Sequence, residues 1–531
     1  MSFASTRWLL VITFVLILPG LFWGLPSAVT AQVDAPVPLG PLLFFADRNP
    51  QIDTIYPAFH QLLLMPVYAA AMAVYWVGGG ISHLTSAWPY GFHDVSLFFS
   101  ALILLSNLVA TCMGLGILYV ASCLVAPHKN WIWAGILIAA TNGVFVYYCR
   151  VGNLDIPYNF WWAVTLFFLW RHFFQDKPFR TSLLPAAIAA ACAVGSKDQA
   201  SGLVIGAGVL ILLCAPHRDR SFVGRIRNAI LFGACVALFY TLVAILPHPT
   251  RWWYHFQYIL SGKAPTEIPF TPAGEVQIFI LTVQWVLRVF TIPVVALALV
   301  GIYYLLRSGR GSECLVLLLP LVFYYAIVVA QTRVFYPRFC VPFFVPVIVF
   351  VTHGAAWLAE TLFAAPRARL AWSAVIIAFL VFQFCLSYVP VTYAQVFDMK
   401  RDLAAGLPAS LPPGSPLLIS HMQSYNYPNR NVYEQYRLMM LPQDPIEPPS
   451  RHAANLFHPL DPNVAFYLWG SGNAGLPWNP VGDYPPLTGE LVREWHYPAW
   501  VKDHVLVPCI FEFSLYRRTG PLPEAQPAPR F

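Results

Sequence analysis

The chain has 531 residues, of which 58% are hydrophobic and only 10% are charged. Soluble proteins carry roughly 25% charged residues, so this composition excludes a chain wholly surrounded by water. The formal charge of +7 is modest and gives no case for nucleic-acid binding.

From the N-terminus, apolar blocks recur at lengths that suit a bilayer. Stretch 97–126 has no charged side chain and exceeds the ~18 residues that read as a membrane span; the shorter 156–170 is also uncharged. About eleven spans are expected, near 8–25, 97–126, 131–147, 156–170, 182–194, 200–215, 229–246, 290–306, 315–329, 343–358 and 371–388. With the N-terminus inside, alternate loops collect Lys129, Arg171, Lys177, Arg180, Arg218, Arg220, Arg225, Arg227, Arg307, Arg310, Arg367 and Arg369, with Arg7 on the same side. Cytoplasmic loops are enriched in this way, so the map is self-consistent and puts the tail outside. Stretch 56–77 is apolar enough for a span, but counting it would move every later basic cluster outside. It is read as a juxtamembrane or re-entrant helix in a large first outer loop, 26–96, and 275–288 is read likewise. Arg7, the apolar run and Val29-Thr30-Ala31 also resemble a cleavable signal peptide.

Residues 391–531 are richer in Pro, Asn, Tyr and charge. The Pro-rich run 406–416 predicts a turn after a short helix, and 416–420 and 504–515 suit strands. The fold class expected is an all-α polytopic membrane bundle over 1–390 with a small extracytoplasmic α/β domain. The ten cysteines form no C-x-x-C pair, and no disulfide framework is inferred.

Ionisable groups gather at the expected outer mouth, where they are costly unless useful. Asp34, Asp47, Arg48, Asp53, His83, His93 and Asp94 lie in the first outer loop, and Arg150 and Asp155 in the second. Lys197 and Asp198 occupy a tight turn, and Arg333 and Arg338 precede the tenth span. Carboxylates facing cations suit a phosphate-bearing substrate, the cations binding phosphate and a carboxylate serving as base. The plain alternatives are solvated loop charges, an Arg150–Asp155 pair, and Arg333 and Arg338 snorkelling to headgroups. Trp252, Trp253 and His255 could line a sugar site or anchor the chain at the interface. There is no P-loop, H-E-x-x-H or G-x-S-x-G motif, and the histidines lack metal-ligand spacing.

Five segments carry a family resemblance: GLPSAVTAQVDAP with Asp34, IYPAFHQLLLMPVY, CRVGNLDIPYNFWW, GSKDQASGL and YPRFCVPFFVP. In order and placement the chain resembles the GT-C superfamily of membrane glycosyltransferases. It looks most like bacterial relatives of the dolichyl-phosphate-mannose–protein mannosyltransferases (family 39) and the lipid A aminoarabinose transferase. The resemblance implies a hexosyl- or pentosyltransferase of the cell (inner) membrane. It would move a sugar from a polyprenyl-phosphate donor to a hydroxyl on a protein, lipid or glycan, with inversion. Asp34 would be the general base and Asp155 would orient the acceptor or support the site. Lys197 and Arg338, with Arg150 and Arg333, would bind the phosphate. The family often has Asp-Glu where Asp34 is followed by Ala35, so Asp53 or Asp47 could serve instead. No metal or other cofactor is expected, although some members of the superfamily need a divalent metal. The other reading is a transporter or flippase of lipid-linked glycans, which commonly has inverted repeats and a midplane site. Here no repeat is visible and the charges lie at one face.

Overall fold

In this computed structural model, the structure describes residues 3–26, 56–83, 91, 93–125, 129–214, 221–247, 249–260, 268–333, 335–363, 365–419, 435–440, 464–472 and 489–520. Helices dominate up to residue 410. They are α1 (Phe3–Ile17), α2 (Phe59–Val77), α3 (Val95–Leu124), α4 (Ile132–Ala140), α5 (Gly143–Arg150), α6 (Asp155–Phe174), α7 (Leu183–Ser196), α8 (Ala200–Leu213), α9 (Phe222–Tyr240), α10 (Pro249–Leu260), α11 (Pro272–Arg307), α12 (Gly311–Tyr324), α13 (Phe344–Thr361), α14 (Pro366–Gln383), α15 (Val389–Val396) and α16 (Met399–Ser410).

Each of the eleven expected spans lies on helical residues, but not each is a single helix of crossing length. Among the described residues seven helices are long and apolar enough to cross a membrane, or eight if the bent pair α4–α5 counts as one span. The shortfall has a physical cause. α7 and α8 have 14 residues each, a rise of about 21 Å against a hydrocarbon core of about 30 Å. Their hairpin turn therefore stops within the depth of the bundle, and Lys197 in that turn is only 1% exposed.

The 56–77 stretch forms α2, which passes the same length test. It runs antiparallel to the first half of α3: Tyr75 donates to the Asp94 carbonyl at 2.8 Å and Tyr68 to that of Leu102 at 3.4 Å. Further along α3, Asn107 donates to the Leu21 carbonyl just past the end of α1, at 2.9 Å. α1 thus ends beside the first half of α3.

The 275–288 stretch is a helix apart from the 290–306 span, as expected: within the run Pro272–Arg307 (α11) the backbone at Thr291 is non-helical (φ 64°), so two helices meet at a kink there, with Pro293 just beyond. Pro293 has no N–H, so the carbonyl four residues earlier, Val289, loses its helical donor. Asn142, in the break between α4 and α5, supplies one: its amide donates to the Val289 carbonyl at 2.7 Å. The same side chain caps α5 by accepting from the N–H groups of Val144 and Phe145. Below this joint α11 and α13 cross at backbone contact. A Cβ on Gly301 would lie 1.9 Å from the Phe350 carbonyl oxygen.

The last apolar helical run, Pro366–Ser410, is broken at Phe397–Asp398, where the backbone is non-helical, so α16 is a separate helix after α15. α16 continues through Pro408 to Ser410, so the expected turn starts later than 406. A five-stranded sheet follows in the order β2-β1-β3-β5-β4. β1 (Pro416–Ile419) pairs in parallel with β2 (Arg437–Met440) and β3 (Phe466–Gly472). β5 (Phe511–Arg518) is antiparallel to β3 and β4 (Gly489–Trp495). Leu403 and Leu407 of α16 are buried with Leu417, Leu468, Phe513 and Leu515. This is the mixed α/β tail expected, with the second predicted strand beginning at 511 rather than 504.

The tail rests on the mouth of the bundle. Tyr497 donates to the Ala394 carbonyl at 3.1 Å, and Arg401 to that of Phe22 at 3.1 Å. The Lys400 ammonium lies 4.2 Å from the Phe511 ring centre and 5.9 Å from that of Trp23.

Candidate active site at the bundle mouth

Asn153 begins the site. Its side-chain oxygen accepts the Asp155 N–H at 2.9 Å, the local turn that Asn favours, and its amide donates to Asp155 Oδ2 at 3.2 Å. Asp155 is the first residue of α6, where the helix dipole favours negative charge. Lys197 follows the C-terminus of α7, where positive charge is favoured. The two meet: Lys197 Nζ donates to Asp155 Oδ1 at 2.6 Å, and each side chain is 2% exposed. The ammonium also lies 5.4 Å from the Tyr56 ring centre and 5.6 Å from that of Tyr158. Arg338 leaves its helical turn with its guanidinium 4.2 Å from the Tyr336 ring centre.

The next residue in the turn, Asp198, carries a second pair. Its Oδ1 lies 2.8 Å from Nε2 of His255, a 2% exposed residue of α10. α10 is fixed further by Trp252, which donates to the Tyr240 hydroxyl at 3.1 Å. Trp253 is 51% exposed and points away from any such partner role.

Arg150 stands apart. Its Nε donates to the Ile17 carbonyl and Nη2 to that of Leu16; Nη1 donates to Thr392 and Gln395, and Nη2 also reaches the Tyr388 hydroxyl. One side chain thus joins α1, α5 and α15. The Arg150–Asp155 pair considered from sequence does not form, because Lys197 and Asn153 take the Asp155 carboxylate. Arg333 pairs with Glu275 and lies 4.0 Å from the Phe270 ring centre. Asp94 caps α3 by accepting from the Leu97 N–H at 3.0 Å. Asp34, Asp47 and Asp53 lie outside the described residues.

The site residues not named from sequence are Asn153, Tyr56, Tyr158 and Glu275. The Asn-x-Asp spacing and the Tyr three residues after Asp155 were the available signals. Among the described residues no group of three or more His, Cys, Asp or Glu could hold a metal ion.

No family model matches the chain, and no curated protein matches it. Chains of solved structures do match, two of the seven being structures of one enzyme. The crystal structure of ArnT from Cupriavidus metallidurans bound to undecaprenyl phosphate aligns with a TM-score of 0.50 and 12% identity, covering 97% of this chain and 98% of the other. The same enzyme in the apo state aligns with a TM-score of 0.46 and 14% identity, over 96% and 98% of the two chains. At such identity the likeness to the undecaprenyl-phosphate-bound structure is one of fold. That fold is ArnT-like, in line with the fold that the sequence resemblance implies.

Proposed function

We propose that the chain is a glycosyltransferase that moves a sugar from a polyprenyl-phosphate donor to an acceptor hydroxyl at the extracytoplasmic face of the cell membrane. The observation that carries this reading is the buried Lys197–Asp155 pair, with the Tyr56 and Tyr158 rings beside the ammonium. Charges in an apolar bundle are expensive to keep, which supports a functional role for this pair. The fold likeness to ArnT bound to undecaprenyl phosphate supports the donor class. The arginines of the opposite end, Arg171, Arg225, Arg307 and Arg367, support placing that end and the N-terminus in the cytoplasm.

In this reaction Asp34 accepts the proton of the acceptor hydroxyl. The acceptor oxygen then forms a bond to the anomeric carbon as the bond from that carbon to the phosphate oxygen breaks, inverting the centre. The departing polyprenyl phosphate gains negative charge. Lys197 and Arg338 stabilise that charge where it develops, so they favour the transition state over the bound donor. Asp155 holds the Lys197 ammonium in place, and Arg150 positions the helices that carry the site without touching substrate. Asp47 and Asp53 are the alternative bases.

Purified protein in proteoliposomes, given a labelled polyprenyl-phosphate sugar and candidate acceptors, tests the assignment. Wild type is expected to transfer sugar, and Asp34→Asn to lose at least ~100-fold in rate, as for a positioned base. Full transfer by Asp34→Asn, with loss instead in Asp47→Asn or Asp53→Asn, would move the base to that residue.

A further inference from the structure

Another cation stands at this mouth with a partner that is half in solvent. Arg333 closes its helix in the left-handed region, at φ 57°, a conformation that costs a non-glycine residue energy and persists where the surroundings impose it. Its side chain is 2% exposed, while that of Glu275, in the first turn of α11, is 51% exposed. Nη2 of Arg333 donates to Glu275 Oε1, whereas Nε and Nη1 are buried and have no acceptor among the described residues. Phe270 covers one face of the guanidinium at 4.0 Å, and Tyr325 lies in the field of both charged groups.

A guanidinium presents five donors in a planar fork that matches a phosphate. Burying such a fork with two donors unfilled is costly, and a ligand that fills them recovers the cost. Glu275 can leave without a comparable loss, because its carboxylate already borders solvent. The Thr291 interruption lies between Glu275 and the inner half of α11, so the outer half can shift without breaking the crossing at Gly301.

We infer that Arg333 is an anion-binding residue gated by Glu275, whose carboxylate holds the guanidinium until the phosphate group of a prenyl phosphate displaces it. The ligand class rests on the function proposed above. A partly exposed ion pair is modest in strength, so the closed state would hold most but not all molecules. Apparent affinity then falls by the fraction of open protein, and removing the gate restores it.

The test is binding of geranylgeranyl phosphate to the full-length protein in detergent, followed by tryptophan fluorescence. Geranylgeraniol and inorganic phosphate are the controls. Glu275→Gln is expected to tighten prenyl-phosphate binding about fivefold and leave the alcohol unchanged. Arg333→Gln is expected to weaken it and to abolish the effect of Glu275→Gln in the double variant. Equal tightening toward inorganic phosphate would assign the gate to the phosphate group alone, still as inferred. Unchanged or weaker prenyl-phosphate binding by a folded Glu275→Gln protein would overturn the gate while leaving the function standing. So would tightening that persists in the double variant. Failure of wild type to bind prenyl phosphate at all would overturn both readings.

Discussion

Lys197 and Asp155 lie 42 residues apart and share one buried contact, and each depends on the other for neutralisation. Removing one partner of a buried ion pair typically costs ~3–5 kcal/mol, because the other charge stays buried and unpaired. Lys197→Met is therefore expected to lower unfolding stability by roughly that amount and to abolish transfer. Lys197→Met combined with Asp155→Asn is expected to recover most of the stability but none of the activity. Thermal unfolding in detergent and the transfer assay separate the two effects; a double variant as unstable as the single would contradict the pairing. Both residues stood out in the sequence because charge next to short apolar runs is rare. Their partnership did not, since the short α7–α8 hairpin that brings the turn down to Asp155 is a matter of depth, which span lengths only hint at. Glu275 does not stand out in the sequence, because it belongs to a stretch that reads as a juxtamembrane or re-entrant helix. Its role depends on Arg333, which approaches it from another element.

At the scale of elements, the fold relies on helices that break in matched places. α4–α5 bends by 66° and α11 is interrupted at Thr291, and Asn142 serves both breaks. Asn142→Ala removes a helix cap and leaves the Val289 carbonyl without its donor. The expected cost is ~2–3 kcal/mol from cap loss plus an unsatisfied buried acceptor. In a Pro293→Ala background the chain regains a backbone N–H near that carbonyl, so Asn142→Ala is expected to cost less there. A double-mutant cycle by chemical denaturation measures this coupling, and strict additivity would contradict it. The helices themselves were legible as apolar blocks. The division of α11 was legible as well, since 275–288 reads apart from 290–306; the exact break at Thr291 was not, because Pro293 alone does not say which residue leaves the helix. Parity of the basic loops sets α2 apart from the other spans, whereas by length and hydropathy alone α2 passes as a crossing.

On the scale of the whole molecule, the tail closes over the mouth through a buried charge. Lys400 in α16 is fully buried, and burial pulls its ammonium from 10.5 down to about 8. The unfolded chain therefore holds this proton more tightly between about pH 8 and 10.5, so the group's contribution to stability rises with pH across that window. Its neutral-pH penalty is about 3 kcal/mol by the usual conversion of 1.36 kcal/mol per unit. Lys400→Met is expected to be more stable than wild type at pH 7, with the difference shrinking toward pH 10.5; a difference independent of pH would contradict the burial account. The tail's α/β character could be read from its strand-like runs. Its docking could not, because Trp23, Tyr497 and Phe511 are far apart in sequence and meet only when the sheet forms. The central claim concerns what this mouth does, and one measurement addresses it most directly. Proteoliposomes carrying a polyprenyl-phosphate sugar labelled in both sugar and phosphate are incubated with acceptor, and both labels are followed. The account predicts one free polyprenyl phosphate released for each sugar transferred by wild type, and neither by Lys197→Met. Donor that crosses the bilayer intact, with no sugar transferred and no polyprenyl phosphate released, would contradict it.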